Sequence, residues 1–193
     1  MARGALLCTQ ARLLANDGLT VIAGKIYEEV LKEDPTESDA LLGMGLLLYH
    51  EDAARAITWI RRAANVEPTD ASRWSQLGTA FYKYGDFPAA IDAFRRAIIL
   101  DPGATESWLA LGDILVARRD AVPAALAYHC ATGLSPTQSD AHFRLPSVIM
   151  ANKPPLRVDA LSQLADRSAK TAASFAPYGA DSTLKRRVAG SAA

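Results

Sequence analysis

The sequence predicts an all-α protein built from a row of antiparallel helix pairs. Three observations predict this fold: a pattern that recurs every 33 or 34 residues, small residues at fixed places in each copy, and apolar residues at helical spacing. The pattern is clearest from Leu77 to Pro102, and the segment from Asn16 to Pro35 repeats its second half.

The period is fixed by the proline that ends each copy. Successive copies are separated by 33, 34 and 34 residues, counted between their final prolines: Pro35, Pro68, Pro102 and Pro136. Each copy is long enough for two helices and a turn. We therefore divide residues 4–138 into four repeats: 4–37, 38–70, 71–104 and 105–138.

The third copy shows why each residue type occupies its place. It holds two apolar stripes at i, i+3 and i+7, typical of amphipathic helices: Trp74, Leu77 and Phe81, then Ile91, Phe94 and Ile98. Gly78 and Ala90 lack bulk, so we expect the two helices to approach closely in an antiparallel hairpin. Gly85 lies between the helices, where a residue past a helix C-terminus needs positive φ. Pro102 cannot continue a helix interior and ends the pair.

The other copies keep the same small residues, with exceptions. Gly45 and Gly112 correspond to Gly78, whereas the worn first copy has Ala11 there. The second copy is one residue short, because "YHEDAARA" replaces "YKYGDFPAA" and the turn loses its glycine. Loops tolerate changes of length, so we expect a tightened turn.

The period, the small-residue positions and the final proline together resemble the tetratricopeptide repeat family over residues 4–138. The resemblance implies a right-handed solenoid, in which neighbouring helix pairs stack because no single pair buries its apolar stripes alone. For the shortened second copy, it leaves a local change of superhelical pitch as the alternative to a tightened turn.

The repeated pattern decays after Pro136. Residues 139–173 are predicted to hold a degenerate fifth first helix and a capping helix. Pro146 stands where the fifth helix should have a small residue, so we expect a kink or a break there. The amphipathic stretch 157–173 is the candidate cap for the last repeat. The small and polar residues 174–193 are predicted to be disordered.

Composition and motifs favour a binding protein over an enzyme. Lys plus Arg and Asp plus Glu number 21 each, so no global charge favours nucleic acid or a membrane surface. The histidines show no metal-binding spacing, and GxxxxGK[ST], GxGxxG and GxSxG motifs are absent from the sequence. We therefore predict no catalytic residue, cofactor or metal. No apolar run reaches transmembrane length. Cys8 and Cys130 form no CxxC, so a cytoplasmic protein with reduced thiols is expected.

Two basic doublets, Arg61-Arg62 and Arg95-Arg96, lie one repeat apart on predicted second helices. They could form a stripe for an acidic partner or RNA. However, second helices face outward in the family that the chain resembles, and no aromatic platform is interleaved with the doublets. We predict a solvated outer face and no nucleic-acid binding.

The resemblance places the informative surface on the concave side, which first helices line. The residues required by the subtype that clamps chaperone C-terminal carboxylates are missing, since Gln76 and Ala110 stand at two of its positions, and the groove holds no asparagine ladder. What remains is suited to an extended or helical segment with apolar anchors. The predicted partner-binding residues are Arg12, Leu42, Leu46, Tyr49, Thr79, Tyr82, Lys83, Leu109 and Asp113.

Two functions stay open at this point. The first is an adaptor, scaffold or chaperone-like module that binds a protein or peptide partner; a bacterial secretion chaperone is one variant, and self-association is possible. The second is an accessory region of an enzyme, such as a glycosyl- or sulfotransferase, whose catalytic part lies elsewhere. Leu42 and Leu109 also have an alternative role, packing between neighbouring repeats, because stripes at helical spacing are usually core. Fold alone does not decide between the two functions.

Overall fold

The helix pairs that the period predicts are formed. The computed structural model describes residues 2–134 and 144–148, and within these ranges the chain contains helices, turns and no strand. A short helical segment lies at 144–148. The longer helices are α1 Ala2–Asn16, α2 Thr20–Glu33, α3 Ser38–Leu48, α4 Ala53–Val66, α5 Ala71–Tyr84, α6 Phe87–Leu100, α7 Thr105–Ala117 and α8 Ala121–Leu134.

Successive helices pack as hairpins. Helices α1 and α2, α3 and α4, and α7 and α8 pack against each other, and α2 and α4 each also contact the first helix of the next pair. Helices α5 and α6 meet where Gly78 faces the ring of Phe94. The all-α fold of repeated helix pairs is therefore confirmed.

The chain divides into two compact units, 1–97 and 98–193, and the division falls near the end of α6. In the first unit, Leu41, Ile60 and Phe94 are among the most deeply buried side chains. In the second unit, Ile114 and Tyr128 hold the same place in the core. Each unit therefore has apolar packing of its own.

Glycines make the close helix contacts possible, as predicted. A Cβ atom on Gly78 would lie 2.9 Å from the ring of Phe94, closer than side chains tolerate. Gly45 and Gly112 have the same relation to Ile60 and Tyr128, since a Cβ atom on either would come within 3.0 Å of that partner. The large residue of the second helix thus packs directly on the glycine of the first.

The turn between the two helices of a repeat uses positive φ in three of the four copies. Gly85 has a φ of 90°, which confirms its predicted role, and Gly18 has a φ of 82°. Arg119 takes the same place in the fourth copy with a φ of 65°. In the second copy α3 ends early, at Leu48, whose carbonyl accepts a hydrogen bond from the Asp52 N–H at 2.8 Å. The missing residue therefore shortens the helix alone: α3 has 11 residues, and the turn formed by residues 49–52 is longer than the turn 85–86 after α5, so the expectation of a tightened turn is wrong.

The turn between repeats has its own hydrogen bonds. The indole N–H of Trp74 donates to the Pro68 carbonyl at 3.0 Å, and that of Trp108 donates to the Pro102 carbonyl at 3.2 Å. Asp101 accepts a hydrogen bond at 2.9 Å from the N–H of Gly103, two residues later, a contact that favours a turn. The proline carbonyl and the tryptophan side chain of the repeat thus close this turn together.

The segment 144–148 is helical through Pro146, where the sequence predicted a kink or a break. The rest of the predicted fifth helix, the capping stretch 157–173 and the tail 174–193 lie outside the described residues.

Candidate partner-binding groove

Seven of the predicted site residues lie in the first unit, on its three first helices and the turn after α3. Helix α1 packs against α3. Helix α3 is linked to α5 by the hydroxyl of Tyr49, which donates to the Thr79 carbonyl at 2.9 Å. We call the following set the groove face: Arg12, Leu42, Leu46, Tyr49, Thr79, Tyr82 and Lys83.

A pocket of about 340 Å³ opens between α1 and α3. It brings together three residues of the groove face, Arg12, Leu42 and Leu46, and its wall also includes Leu47. Leu46 keeps 43% of its surface exposed, so a large apolar side chain is presented there without a covering group. Such a site can accept an apolar group of a ligand and leave its charged group near Arg12.

Tyr49, Thr79 and Lys83 form a second cluster on the groove face. The hydroxyl of Tyr49 donates to the Thr79 carbonyl. The ammonium of Lys83 lies 4.6 Å from the centroid of the Tyr49 ring, which is a cation–π contact. Burial raises the pKa of Tyr49 above its ordinary value, so its hydroxyl stays protonated and donates. Tyr82 is 39% exposed and its ring lies 5.9 Å from that of Phe87.

The other two predicted residues belong to the second unit and are engaged there. Leu109 is only 8% exposed and lies in the core, which is the packing role that the sequence left open for it. Asp113 accepts hydrogen bonds from the Tyr128 hydroxyl, at 2.6 Å, and from Arg144 of the segment 144–148. The carboxylate of Asp113 is therefore used within its own chain.

Sequence analysis missed a charged cluster beside the groove face. The side chain of Arg73 is only 12% exposed and binds Asp39 at 2.5 Å and Glu67 at 3.1 Å, with Asp70 at 3.5 Å. Arg73, on α5, thereby joins α3 and the turn between α4 and α5. One signal was present: Glu67 replaces the aspartate found before Pro35 and Pro102.

Sequence analysis found no aromatic platform interleaved with the outer arginines, but rings of the same chain lie beside three of them. The guanidinium of Arg62 lies 4.8 Å from the ring centroid of Trp59, and that of Arg96 lies 4.3 Å from the ring centroid of Trp74. Arg61 lies 5.3 Å from the ring centroid of Phe81, a residue of the next repeat. These arginines are held by rings of their own chain, which favours a packing role for them.

Neither thiol is paired in a disulfide, and burial raises the pKa of both Cys8 and Cys130 to about 11. Glu37 and Asp39 add to the effect at Cys8. In the part of the chain that the structure describes, no three His, Cys, Asp or Glu side chains gather as metal ligands would. None of the described helices is long and apolar enough to cross a membrane.

A family model described as tetratricopeptide repeat matches residues 75–139 of the chain. None of the curated proteins matches it significantly. Among solved structures, MamA is 21% identical, with a TM-score of 0.69, and the match covers 94% of this chain and all of that one. These likenesses establish the repeat fold.

Two further structures share the fold. YrrB, described as a TPR protein with an unusual peptide-binding site, is 19% identical, with a TM-score of 0.66 and 82% of both chains covered. An O-GlcNAc transferase mutant from Thermobaculum terrenum is 24% identical, with a TM-score of 0.62. That match covers 68% of this chain and 26% of the transferase.

Proposed function

We propose that the chain, whose fold matches that of tetratricopeptide-repeat proteins, is a non-enzymatic protein-interaction module that binds a segment of a protein partner on its groove face. One observation carries the proposal: Leu46 is exposed in a pocket of about 340 Å³ between α1 and α3, and Tyr82 is exposed on α5, which the Tyr49–Thr79 hydrogen bond ties to the end of α3. Exposed apolar surface beside a pocket marks interaction sites. The likeness to YrrB adds support, since that protein has a peptide-binding site.

The chemistry of the groove face fits recognition rather than catalysis. Tyr82 offers a ring for apolar contact and a hydroxyl for orientation, and Leu42 and Leu46 offer aliphatic surface. Tyr49 is fixed by Thr79 and Lys83, so part of the face is ordered before a partner binds, which lowers the entropic cost of binding. The cytoplasm is the proposed compartment, supported by the unpaired thiols of Cys8 and Cys130.

An affinity pull-down from the native cell lysate tests the proposal. Tyr82→Ala, alone and together with Leu46→Ala, should reduce partner recovery. The binding free energy should weaken by about 1–2 kcal/mol for each side chain that anchors the partner, because buried large side chains dominate binding energy. Arg95→Ala is the matched control, since Arg95 is an exposed residue of α6 and no part of the groove face. Arg61→Ala is a poorer control, because Arg61 packs on Phe81.

Helical content and melting temperature of each variant should equal those of the wild type, so that loss of binding reports the surface itself. If the groove variants stay folded and recover the partner normally while Arg95→Ala does not, the groove mechanism is wrong and the outer face becomes the leading site.

A second candidate is an accessory repeat region of an enzyme. The likeness to the Thermobaculum transferase favours it, since repeats of this fold there form part of an enzyme chain. The distinguishing observation is the full reading frame: a catalytic domain encoded in continuity with these residues would replace the adaptor hypothesis.

A further inference from the structure

We infer that the outer surface of the first unit is a second docking site, for a helical segment of a protein partner that carries two carboxylates seven residues apart. The site is formed by Arg61 of α4 and Arg96 of α6, whose guanidinium groups lie over rings of α5. We call these two side chains the arginine pair. The pair is no part of the groove face, so the inference goes beyond the proposed function.

Positive charge is concentrated on the two helices that carry the arginine pair. The whole chain has as many acidic as basic residues, yet α4 contains three arginines and no acidic residue, and α6 contains two arginines and one aspartate. Both members of the pair are exposed, and none of the salt bridges among residues 2–134 and 144–148 involves either of them. An anionic partner can therefore reach both, and complementary charge steers partners and fixes their register.

Aromatic rings hold the arginine pair in place. The guanidinium of Arg61 lies 5.3 Å from the ring centroid of Phe81, and that of Arg96 lies 4.3 Å from the ring centroid of Trp74. A guanidinium that packs on a ring keeps the N–H donors at its edge, and these form a planar fork that matches a carboxylate. Because the rings already restrict both side chains, a partner binds them at a lower entropic cost.

Helix α5 sets the distance between the two guanidinium groups. Trp74 and Phe81 lie seven positions apart in α5, so their side chains share one face of the helix and are separated by about 10 Å along its axis. A helical ligand has the same spacing, because its residues i and i+7 also share a face about 10 Å apart. In an extended ligand, residues three positions apart span about 10 Å but point to opposite faces. The geometry therefore favours a helix with Asp or Glu at i and i+7.

A single-stranded nucleic acid fits this surface less well than an acidic helix does. Such strands bind by stacking their bases on aromatic side chains. Here a guanidinium lies over each of the two rings, and Phe81 is only 8% exposed. The same contacts that orient the arginine pair thus keep the rings from bases, which favours the carboxylates of a protein over the phosphates of a nucleic acid.

A display library of helical peptides tests the inference without a known partner. The library is panned against the full chain, and the bound peptides are then depleted on the double variant Arg61→Gln, Arg96→Gln. We expect the remaining helices to share Asp or Glu at i and i+7 on one face. When they bind, they should shift the indole N–H resonance of Trp74, which lies beside Arg96, more than that of Trp108 in the second unit.

Single variants separate the arginine pair from general charge. Arg61→Gln and Arg96→Gln should each weaken a selected helix about two- to fivefold, because exposed ion pairs contribute little individually. Arg55→Gln is the matched control, since Arg55 is an exposed arginine of α4 that already pairs with Asp52, and it should leave affinity nearly unchanged. The double variant Arg61→Lys, Arg96→Lys keeps both charges and should still bind more weakly, because an ammonium lacks the planar fork. All affinities are compared at a temperature at which circular dichroism shows each variant folded.

The groove-face variants Leu46→Ala and Tyr82→Ala should bind the selected helices normally. If binding requires Leu46 and Tyr82, the helices occupy the groove face, so the inference is overturned and the proposed function is supported. If the remaining helices lack the acidic pair, or bind the Gln variants as well as the wild type, the inference is overturned and the proposed function is untouched. A single-stranded oligothymidylate that shifts the Trp74 resonance where the helices do not would also overturn it, in favour of a nucleic-acid site.

Discussion

Single residues of the repeat carry backbone strain that can be removed. Arg119 has a φ of 65° at the turn position that Gly18 and Gly85 hold in other copies. A left-handed conformation costs an L-residue about 1–2 kcal/mol, whereas glycine adopts it freely. Arg119→Gly should therefore stabilise the fold by about 0.5–1 kcal/mol, after the greater freedom of glycine in the unfolded chain is subtracted. Urea unfolding measures the change.

Two controls separate backbone strain from loss of the side chain. Arg119→Ala removes the same charge and keeps the Cβ atom, so it should leave stability nearly unchanged. Arg118→Gly, at a neighbouring right-handed position with φ −80°, should destabilise. Equal stability of Arg119→Gly and Arg119→Ala would show that the turn stores no strain.

The thiols give a second prediction at this scale. A pKa of about 11 for Cys8, against 9.0 for an ordinary cysteine, lowers its thiolate fraction at pH 8 about a hundredfold. Alkylation by iodoacetamide at pH 8, followed by mass spectrometry, should be slow in the folded chain and fast in urea. Because the folded state favours the neutral thiol, this stabilisation is complete below pH 9 and is lost as pH rises toward 11. Rapid modification of folded Cys8 at pH 8 would contradict the burial.

At the scale of elements, three of the four hairpins depend on one glycine contact. A Cβ atom at Gly78 would lie 2.9 Å from the Phe94 ring, so α5 and α6 would have to separate or Phe94 would have to leave its rotamer. Gly78→Leu should cost about 1–3 kcal/mol or more, and Gly78→Ala a smaller part of that. Thermal unfolding provides the measurement.

Gly24, inside α2, is the matched control for the helix interior. A Cβ atom there would be 3.7 Å from Leu47, an ordinary contact, so Gly24→Ala should stabilise by about 0.5–1 kcal/mol through helix propensity. An unchanged melting temperature for Gly78→Leu would contradict the close contact of α5 with α6.

The period predicted the contacts within a repeat better than those between repeats. Gly78 and Phe94 could be paired from sequence because a small residue and a large apolar or aromatic residue recur at these two positions of every copy. Tyr27 could not be paired with Gly43, whose Cβ position would overlap the Tyr27 ring, because Gly43 has no glycine counterpart in the other copies. The cluster around Arg73 was missed for the same reason: side chains that join repeats are specific to one junction.

For the groove face, exposure alone can be compared with the sequence. The resemblance to the repeat family assigned Leu46 and Tyr82 to one side of α3 and α5, and both side chains are exposed. The same assignment included Leu109, which is buried, since periodicity gives the direction of a side chain and leaves its cover undetermined. The contact of Asp113 with Arg144 joins residues 31 positions apart and has no periodic signature.

For the whole molecule, the predicted C-terminal cap has the largest expected effect. Deleting residues 153–193 removes the candidate cap 157–173 and should expose apolar surface of the last repeat, which lowers solubility or causes association. Deleting 176–193 alone should do neither. Gel filtration and thermal unfolding compare the two truncations. If they behave alike, residues 157–173 are not a cap.

The hydrogen bonds of the tryptophans make the two units separately observable. Trp74 lies in the first unit and Trp108 in the second, and each indole proton is held by the carbonyl of the proline six residues before it. Such a proton exchanges with deuterium only when its turn opens. In an unlabelled sample placed in heavy water, the indole resonances of Trp74 and Trp108 would therefore time the opening of the turn in each unit, and their difference would show which turn opens first.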